Sequence, residues 1–182
     1  MKLVCGIDEA GRGPLAGPVT AGAVILPEDF PFNILDDSKN LSKIKREAAF
    51  IIILEKAVSF GLGWVWPSEI DSINIHYASL LAMKRAYSGL KIKANYVLVD
   101  GKFIPEIDGK VSAVIKGDLK IREIQAASIL AKTARDRWMI RYSWIDPRYG
   151  FEKHKGYATK YHREKCREFG ISYIHRKSFK IL

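Results

Sequence analysis

The 182-residue chain has little cysteine, a shortage of acidic charge and no long apolar run. Its two cysteines, Cys5 and Cys166, are far apart in the sequence and lack metal-ligand spacing, which argues against a disulfide framework and is typical of thiols in a reducing compartment. No apolar stretch is long enough to span a bilayer. The first residues enter an apolar strand pattern directly, so we expect no signal peptide, no membrane partner and a cytoplasmic location.

The shortage of acids leaves a net charge of +10, with 30 Lys+Arg against 20 Asp+Glu. A basic balance of this size indicates an anionic partner, and nucleic acid is the first choice. Hydrophobic residues make up 48% of the chain, which is enough for a globular core. Because the sequence shows no repeat, low-complexity tract or linker, we expect a single domain over residues 1–182 and take a monomer as the default.

Alternating apolar patterns predict an α/β fold with a mixed sheet. The predicted strands are residues 3–7, 19–26, 64–66, 96–99 and 111–115. The helical patterns begin after residue 42, at residue 68, after residue 118 and after residue 159. Ser42 and Thr159 are the expected helix caps. We expect Gly61 and Gly63 to end the first helix.

Carboxylates follow three of the predicted strands. Asp8 and Glu9 end the first strand, Asp100 ends the fourth, and Asp118 follows the fifth after two intervening residues. If these strand ends meet at one sheet edge, the acids repel one another unless cations lie between them, and an all-oxygen ligand set favours Mg²⁺ or Mn²⁺ over zinc. A pair of such ions suits phosphodiester hydrolysis. Each acid is also compatible with an ordinary turn, so the pattern alone leaves both interpretations open.

Two further segments favour a nucleic-acid partner. The glycine-rich turn at residues 11–13 lets another backbone approach closely, which suits a phosphate beside a metal site. The region after residue 148 is dense in basic and aromatic residues, as in surfaces that contact a duplex. Its histidines show no metal-ligand spacing and are interpreted as ordinary core or surface residues. The neighbouring Arg135 and Asp136 are interpreted as a structural ion pair.

The segment Gly6–Pro18 resembles the opening signature of the ribonuclease HII family. The resemblance continues in order through residues 37–39, 41–42, 45–46, 70–71, 74–75, 82–83, 99–101, 116–118, 126–129, 131–132, 135–136, 155–157, 159, 162 and 175–176. It implies a ribonuclease H-like fold, with a mixed central sheet flanked by helices over about residues 1–145 and a small helical C-terminal extension over about residues 146–182. Because the chain starts at the signature, we expect no N-terminal domain of the type III kind.

The resemblance implies an endoribonuclease that hydrolyses the RNA strand of RNA/DNA hybrids and cuts 5′ of single ribonucleotides in duplex DNA. It implies a two-metal-ion mechanism with Mn²⁺ or Mg²⁺, products with 3′-hydroxyl and 5′-phosphate ends, and a role in ribonucleotide removal during replication and repair. The implied catalytic and metal-binding residues are Asp8, Glu9, Asp100 and Asp118. The implied nucleic-acid-binding residues are Gly11, Arg12, Gly13, Lys39, Lys45, Lys132 and Tyr157.

Tyr157 matches the family's junction-sensing tyrosine, whose ring stacks on the sugar after the ribonucleotide. The sequence departs from the family at Ala158, where glycine is expected. If the backbone there has a positive φ, alanine costs about 1 kcal/mol and shifts Tyr157. Two alternatives remain open at this point: another nuclease of the ribonuclease H fold, and a non-catalytic nucleic-acid-binding module. Metal-dependent cutting of a duplex with one ribonucleotide separates them.

Overall fold

A five-stranded mixed sheet forms the centre of the computed structural model, which describes residues 3–35 and 41–180. The strands are β1 (Val4–Ala10), β2 (Val19–Ile25), β3 (Ser59–Val65), β4 (Tyr96–Asp100) and β5 (Lys110–Val114). Their order across the sheet is β3-β2-β1-β4-β5. Strand β1 pairs antiparallel with β2 and parallel with β4, while β3 and β5 form the two edges. The predicted α/β class with a mixed sheet is confirmed.

The helices are α1 (Lys43–Lys56), α2 (Pro67–Ser88), α3 (Arg122–Ile145), α4 (Phe151–His154) and α5 (Lys160–Phe169). Both predicted caps are confirmed. The Ser42 hydroxyl accepts a hydrogen bond from the Lys45 amide, and the Thr159 hydroxyl accepts one from the His162 amide. In the two described ranges, no helix has both the length and the apolar character that crossing a membrane requires.

Helix α2 covers one face of the sheet, and helices α1 and α3 cover the other. Strand β2 shows the division, because Val24 packs with α1 and α3 whereas its neighbours Ala23 and Ile25 pack with α2. All seven residues of β2 are buried as a result. The sheet is therefore buried on both faces at its centre. The carboxylates of Asp8, Glu9 and Asp100 lie toward the ends of their strands.

The prediction that Gly61 and Gly63 end the first helix is wrong. Both glycines lie inside β3, which begins at Ser59. A Cβ atom on Gly61 would lie 2.1 Å from the carbonyl oxygen of Ala86, and one on Gly63 would lie 1.9 Å from that of Ala82. The glycines thus let the backbone of α2 pack directly on the edge strand, a contact that local sequence pattern does not reveal.

A similar close contact between β1 and α3 brings two parts of the candidate site together. A Cβ atom on Gly6 would lie 2.1 Å from the carbonyl carbon of Glu123, so α3 starts directly against β1. The 3-10 turn Gly117–Leu119 contains Asp118 and ends two residues before α3. Asp118 is therefore placed at the end of the sheet where Asp8 lies.

The region after α3 packs on the C-terminal half of that helix and on the loop that follows β1. The buried residues of this third cluster are Leu15, Ala16, Met139, Tyr142, Tyr149, Phe151, Cys166 and Ile174. Backbone hydrogen bonds join the same two regions: the Leu15 amide donates to the Gly156 carbonyl, and the Gly17 amide donates to the Ile174 carbonyl, each over 2.8 Å. The loop after β1 and the C-terminal region thus form one packed unit.

Candidate active site

One cavity of about 480 Å³ gathers most of the residues that the sequence singled out. Its walls include all four predicted carboxylates, the glycine–arginine–glycine turn, and two residues from the other side of the cavity, Lys132 and Tyr157. The acids come from three elements, because Asp8 and Glu9 lie on β1, Asp100 ends β4, and Asp118 lies in the turn before α3. Parallel pairing of β1 with β4 places Asp8, Glu9 and Asp100 at the same end of the sheet.

Asp8 interacts with Glu9 and Asp100 and is only 5% exposed. Burial raises the pKa of Asp8 well above its ordinary range, and the charges of Glu9 and Asp100 raise it further. A hydrogen bond with Ser128 acts in the opposite direction, as does the 2.7 Å hydrogen bond that the Glu9 amide donates to Asp8 Oδ1. Without a cation, the cavity is thus an unfavourable place for several carboxylate charges.

The neighbouring acids are held in fixed positions. Burial also raises the pKa of Glu9, but the guanidinium of Arg12, 3.2 Å from Glu9 Oε1, lowers it. Asp100 Oδ1 accepts a hydrogen bond of 2.7 Å from the Gly117 amide, which ties the end of β4 to the turn before α3. Carboxylate oxygens, mutual repulsion and fixed geometry together fit hard divalent cations such as Mg²⁺ and Mn²⁺.

The glycine-rich turn is fastened from behind by two buried arginines. Arg176 donates hydrogen bonds to the carbonyl oxygens of Gly11, Arg12 and Gly17 over 2.6, 2.9 and 3.0 Å. Arg135 donates to two more carbonyl oxygens of the same loop, those at positions 16 and 18. Gly11 has a φ of +93°, and a Cβ there would lie 2.1 Å from Arg135 Nε, so glycine is required on both grounds.

Tyr157 faces the cavity from the C-terminal region and is 43% exposed. Lys132 Nζ lies 5.6 Å from the centre of the tyrosine ring. The backbone of Tyr157 is held by His162, whose Nδ1 lies 2.9 Å from the Tyr157 carbonyl oxygen, and by the amide of Thr159, which donates to the same oxygen. The aromatic ring is therefore accessible while its backbone is fixed.

The backbone at Ala158 does not require glycine. The described non-glycine residues with positive φ are Asn74, Lys116 and Lys155, so Ala158 has a negative φ. The strain that a positive φ would impose on alanine is therefore absent. The alanine at position 158, where the resemblance led us to expect glycine, therefore imposes no positive-φ strain on the backbone beside Tyr157.

The interpretation of Arg135 and Asp136 as an ion pair with each other is wrong. The Arg135 side chain donates its hydrogen bonds to loop carbonyls, whereas Asp136 accepts a 2.9 Å hydrogen bond from Lys132 and lies 4.0 Å from Arg46. The two neighbours point to different partners because consecutive residues of a helix lie on different faces. Asp136 thus holds Lys132 beside Tyr157.

Lys45, one of the predicted nucleic-acid-binding residues, does not line this cavity. Lys45 is an exposed residue of the first turn of α1 and lines a different groove, together with Leu41 and Ala48. Lys39 lies outside the described residues. Their contacts with a substrate stay predictions.

A cluster of His162, Cys166 and His175 has ligand atoms within 4.8 Å of one another. The ring nitrogens of the two histidines nevertheless already have hydrogen-bond partners. His175 Nδ1 accepts from the Ser172 amide, so the proton of this neutral ring is on Nε2, which lies 3.0 Å from His162 Nε2 and 3.2 Å from Cys166 Sγ. A proton shared between the side chains occupies the position that a cation would need. We interpret the cluster as a buried hydrogen-bond network.

Sequence reasoning missed the parts of Ser128, Arg135 and Arg176 in this site. Ser128 lines the cavity and contacts Asp8. A signal for Arg135 was available, because this arginine interrupts the small apolar stripe of α3 that packs on the sheet. Arg176 belongs to the segment 175–176 that carries the family resemblance, but the basic residues around it do not distinguish it from a surface cation.

Comparison with known proteins identifies the family. The family model for Ribonuclease HII matches residues 5–182. The chain belongs to the ribonuclease HII family. A Ribonuclease HII from Treponema denticola is 53% identical over 193 residues, which cover 97% of this chain and 98% of that protein.

Solved structures agree with this ribonuclease HII assignment. The ribonuclease H2 from Pyrococcus horikoshii OT3 superposes with a TM-score of 0.81 and 26% identity, covering 98% of this chain and 94% of that chain. Bst-RNase HIII in complex with Mn²⁺ superposes with a TM-score of 0.70 at 16% identity, covering 99% of this chain and 68% of that chain, which shows a shared fold. The predicted ribonuclease H-like fold is confirmed.

As a ribonuclease HII, the chain is a ribonuclease H endonuclease and acts on the RNA strand of RNA/DNA hybrids. The alternative of a non-catalytic nucleic-acid-binding module is therefore wrong, and so is that of a nuclease from a different family with this fold. Enzymes of the ribonuclease H type use divalent metal ions. The oxygen-rich cavity described above is the part of this chain that fits them.

Proposed function

We propose that this ribonuclease HII cuts on the 5′ side of single ribonucleotides in duplex DNA, as well as within RNA/DNA hybrids, and that it serves ribonucleotide removal in replication and repair. The observation that carries the proposal is the single cavity that contains four carboxylates, the turn Gly11-Arg12-Gly13, and Tyr157. The acids fit the hydrolytic chemistry. The turn and the tyrosine fit recognition of a ribonucleotide next to a deoxyribonucleotide.

Asp8 and Asp100 are the proposed principal metal ligands, and Glu9 and Asp118 complete the ligand set. Bound there, a pair of Mg²⁺ or Mn²⁺ ions would supply an activated water and stabilise the leaving 3′ oxygen, which gives 3′-hydroxyl and 5′-phosphate ends. The protein contributes preorganisation, because Asp8 Oδ1 is fixed by the Glu9 amide and Asp100 Oδ1 by the Gly117 amide. Neither carboxylate has to reorient when the substrate binds.

Recognition of the ribonucleotide is assigned to the glycine-rich turn, Tyr157 and Lys132. Backbone amides of the glycine-rich turn are suited to the 2′-hydroxyl, which is the group that distinguishes RNA from DNA. The ring of Tyr157 is exposed for stacking on the following deoxyribose, and Lys132 lies beside it in position for a phosphate. Residues 146–182 therefore act as the substrate-binding extension of the catalytic core.

The test is cleavage of a labelled DNA duplex that contains one ribonucleotide, with Mg²⁺ or Mn²⁺ and with EDTA, beside an all-DNA duplex and a long RNA/DNA hybrid. We expect one metal-dependent cut at the 5′ side of the ribonucleotide and none in the all-DNA duplex. Asp8→Asn is expected to abolish the cut, whereas Asp29→Asn, at an exposed position away from the cavity, is expected to leave it unchanged.

Three results would contradict parts of this proposal. Cutting of the hybrid without cutting at the single ribonucleotide would remove the junction role of Tyr157 while the hydrolytic site stands. Equal activity of Asp8→Asn and the wild type would refute the metal site. Cutting that persists in EDTA would do the same.

A further inference from the structure

The loop that carries the glycine-rich turn is held by two guanidinium groups that lie completely inside the protein. Arg135 and Arg176 are each 0% exposed, and together they donate hydrogen bonds to five loop carbonyl oxygens. Among the described residues, no carboxylate forms a hydrogen bond or ion pair with either of them. Arginines of this kind are rare, because a buried guanidinium ordinarily pairs with an acid.

The direction of these hydrogen bonds decides which polar groups of the turn face the substrate. In a planar trans peptide the N–H points away from the C=O. Arg176 holds the carbonyls of Gly11 and Arg12 toward the interior, so the amides of the same peptide units, those of Arg12 and Gly13, point outward. In the described part of the chain neither amide has a protein acceptor, and both residues line the cavity.

The turn also lies beside the tyrosine, because a Cβ atom on Gly13 would lie 3.9 Å from Tyr157 Cε1. Burial lowers the pKa of Arg135 to about 10 and that of Arg176 to about 9, and in both cases the nearby Tyr157 acts in the opposite direction. The backbone of Arg176 is itself fixed, because its amide donates to the Leu15 carbonyl over 2.9 Å. Arg135 Nη1 is buried and has no hydrogen-bond partner within the described residues.

We propose that Arg135 and Arg176 are positioning residues for ribonucleotide recognition: they hold the loop carbonyls inward so that the amides of Arg12 and Gly13 are presented to a 2′-hydroxyl beside Tyr157. This inference rests on the proposed function and goes beyond it, because neither arginine touches the substrate. Their planar donor set is essential to the arrangement, since a guanidinium supplies up to five donors in one plane. A lysine at the same place supplies one charged group that cannot reach three carbonyls at once.

The experiment measures binding separately from cleavage. Fluorescence anisotropy in EDTA compares two duplexes of one sequence, all DNA and with a single ribonucleotide, for the wild type, Arg176→Lys and Arg135→Lys. We expect the wild type to bind the ribonucleotide duplex more tightly. We expect the ratio of the two affinities to be about 10-fold smaller in each lysine variant than in the wild type, which corresponds to the loss of one hydrogen bond to the 2′-hydroxyl. We expect the affinity for the all-DNA duplex to stay within about 2-fold of the wild type.

The matched control is Arg85→Lys. Arg85 also donates to a backbone carbonyl, that of Trp64, and forms an ion pair with Glu69, but it joins α2 to β3 away from the cavity. We expect it to keep the wild-type preference. Thermal unfolding of each variant shows that the folded protein is being compared, and a general structural defect would weaken binding of both duplexes equally.

Each outcome has a defined meaning. Loss of the preference in either arginine variant, with all-DNA binding retained, supports the inference. If the wild type shows the preference and both variants keep it, the inference is overturned while the proposed function stands. If the wild type neither prefers the ribonucleotide duplex nor cuts it, the proposed function fails and the inference falls with it. Equal weakening for both duplexes, with Arg85→Lys unchanged, assigns the arginines to stability alone and also overturns the inference.

Discussion

His162 and His175 share a hydrogen bond of 3.0 Å between their Nε2 atoms, deep in the C-terminal region and directly behind Tyr157. His162 and His175 are 0% and 1% exposed. Such a bond forms only when one ring donates and the other accepts, so the pair is stable when both histidines are neutral. Protonation of His162 removes the acceptor of this bond, and protonation of His175 at Nδ1 removes the acceptor of the Ser172 amide.

This relationship predicts acid sensitivity of the fold. Burial lowers the pKa of both His162 and His175 to about 4, compared with an ordinary value of 6.5. Between these values the unfolded chain binds protons that the folded chain does not. The stabilisation that the two neutral histidines contribute should therefore be complete above about pH 6.5. Toward pH 4 the free energy of unfolding should fall by up to about 1.4 kcal/mol per pH unit for each histidine.

Urea unfolding in EDTA at pH 7 and pH 5 measures this effect. The double variant Asp8→Asn, Glu9→Gln is the suitable background, because the raised pKa values of Asp8 and Glu9 contribute in the opposite direction as the pH falls. A free energy of unfolding that is equal at the two pH values, or larger at pH 5, would show that the histidine pair does not titrate as described.

Asp8→Asn should separate activity from stability. Asp8 is buried beside Glu9 and Asp100, so in EDTA the substitution removes a charge that the fold disfavours while keeping the oxygen that accepts from the Glu9 amide. We expect the free energy of unfolding in EDTA to rise by about 1 kcal/mol. We expect Mg²⁺ to stabilise the wild type and not the variant. A variant that is less stable than the wild type in EDTA would contradict the electrostatic account.

Ser128→Ala should weaken metal binding without removing a metal ligand. The hydroxyl contacts Asp8 and favours its ionised form, which is the form that binds a cation. Loss of such a supporting hydrogen bond ordinarily lowers metal affinity about 10-fold. Calorimetric titration with Mn²⁺ measures the change. Ser72→Ala, at an exposed position of α2, serves as the control. An unchanged Mn²⁺ affinity in Ser128→Ala would show that the Ser128 contact does not tune Asp8.

Ala158→Gly should leave ribonucleotide recognition unchanged. Ala158 has a negative φ, so glycine relieves no strain and only adds freedom to the unfolded chain. We expect a loss of about 0.4–1 kcal/mol of stability and a cleavage ratio, single ribonucleotide over hybrid, within about 2-fold of the wild type. A clear rise in that ratio would mean that alanine does displace Tyr157.

The parts of the fold and site that were predictable from the sequence depend on local pattern. Asp8 and Asp100 come directly after apolar runs of β1 and β4, and Asp118 comes shortly after β5, so their convergence at one end of the sheet was foreseeable. The caps at Ser42 and Thr159 were predictable because each hydroxyl accepts a hydrogen bond from an amide only three residues later.

The features that were missed depend on distant contacts. Gly61 and Gly63 have the pattern of a helix end, and only the packing of α2 shows that they belong to a strand. Arg135 and Arg176 bind a loop that precedes them by more than 100 residues. No window of sequence contains both the guanidinium and the carbonyls that it binds, so pattern could not assign these residues.

The hydrogen bond from Arg176 to Gly11 spans 165 positions of the chain. During synthesis Gly11 is made 165 residues before Arg176, so the glycine-rich turn lacks the hydrogen bonds of Arg176 until those residues have been translated. Strands β1 and β4, which carry Asp8 and Asp100, can pair before then, because they are closer to each other in the sequence than Gly11 is to Arg176. We therefore expect nascent chains to acquire a folded sheet first and nuclease selectivity last, with the closure of this long-range loop setting the slow step of maturation.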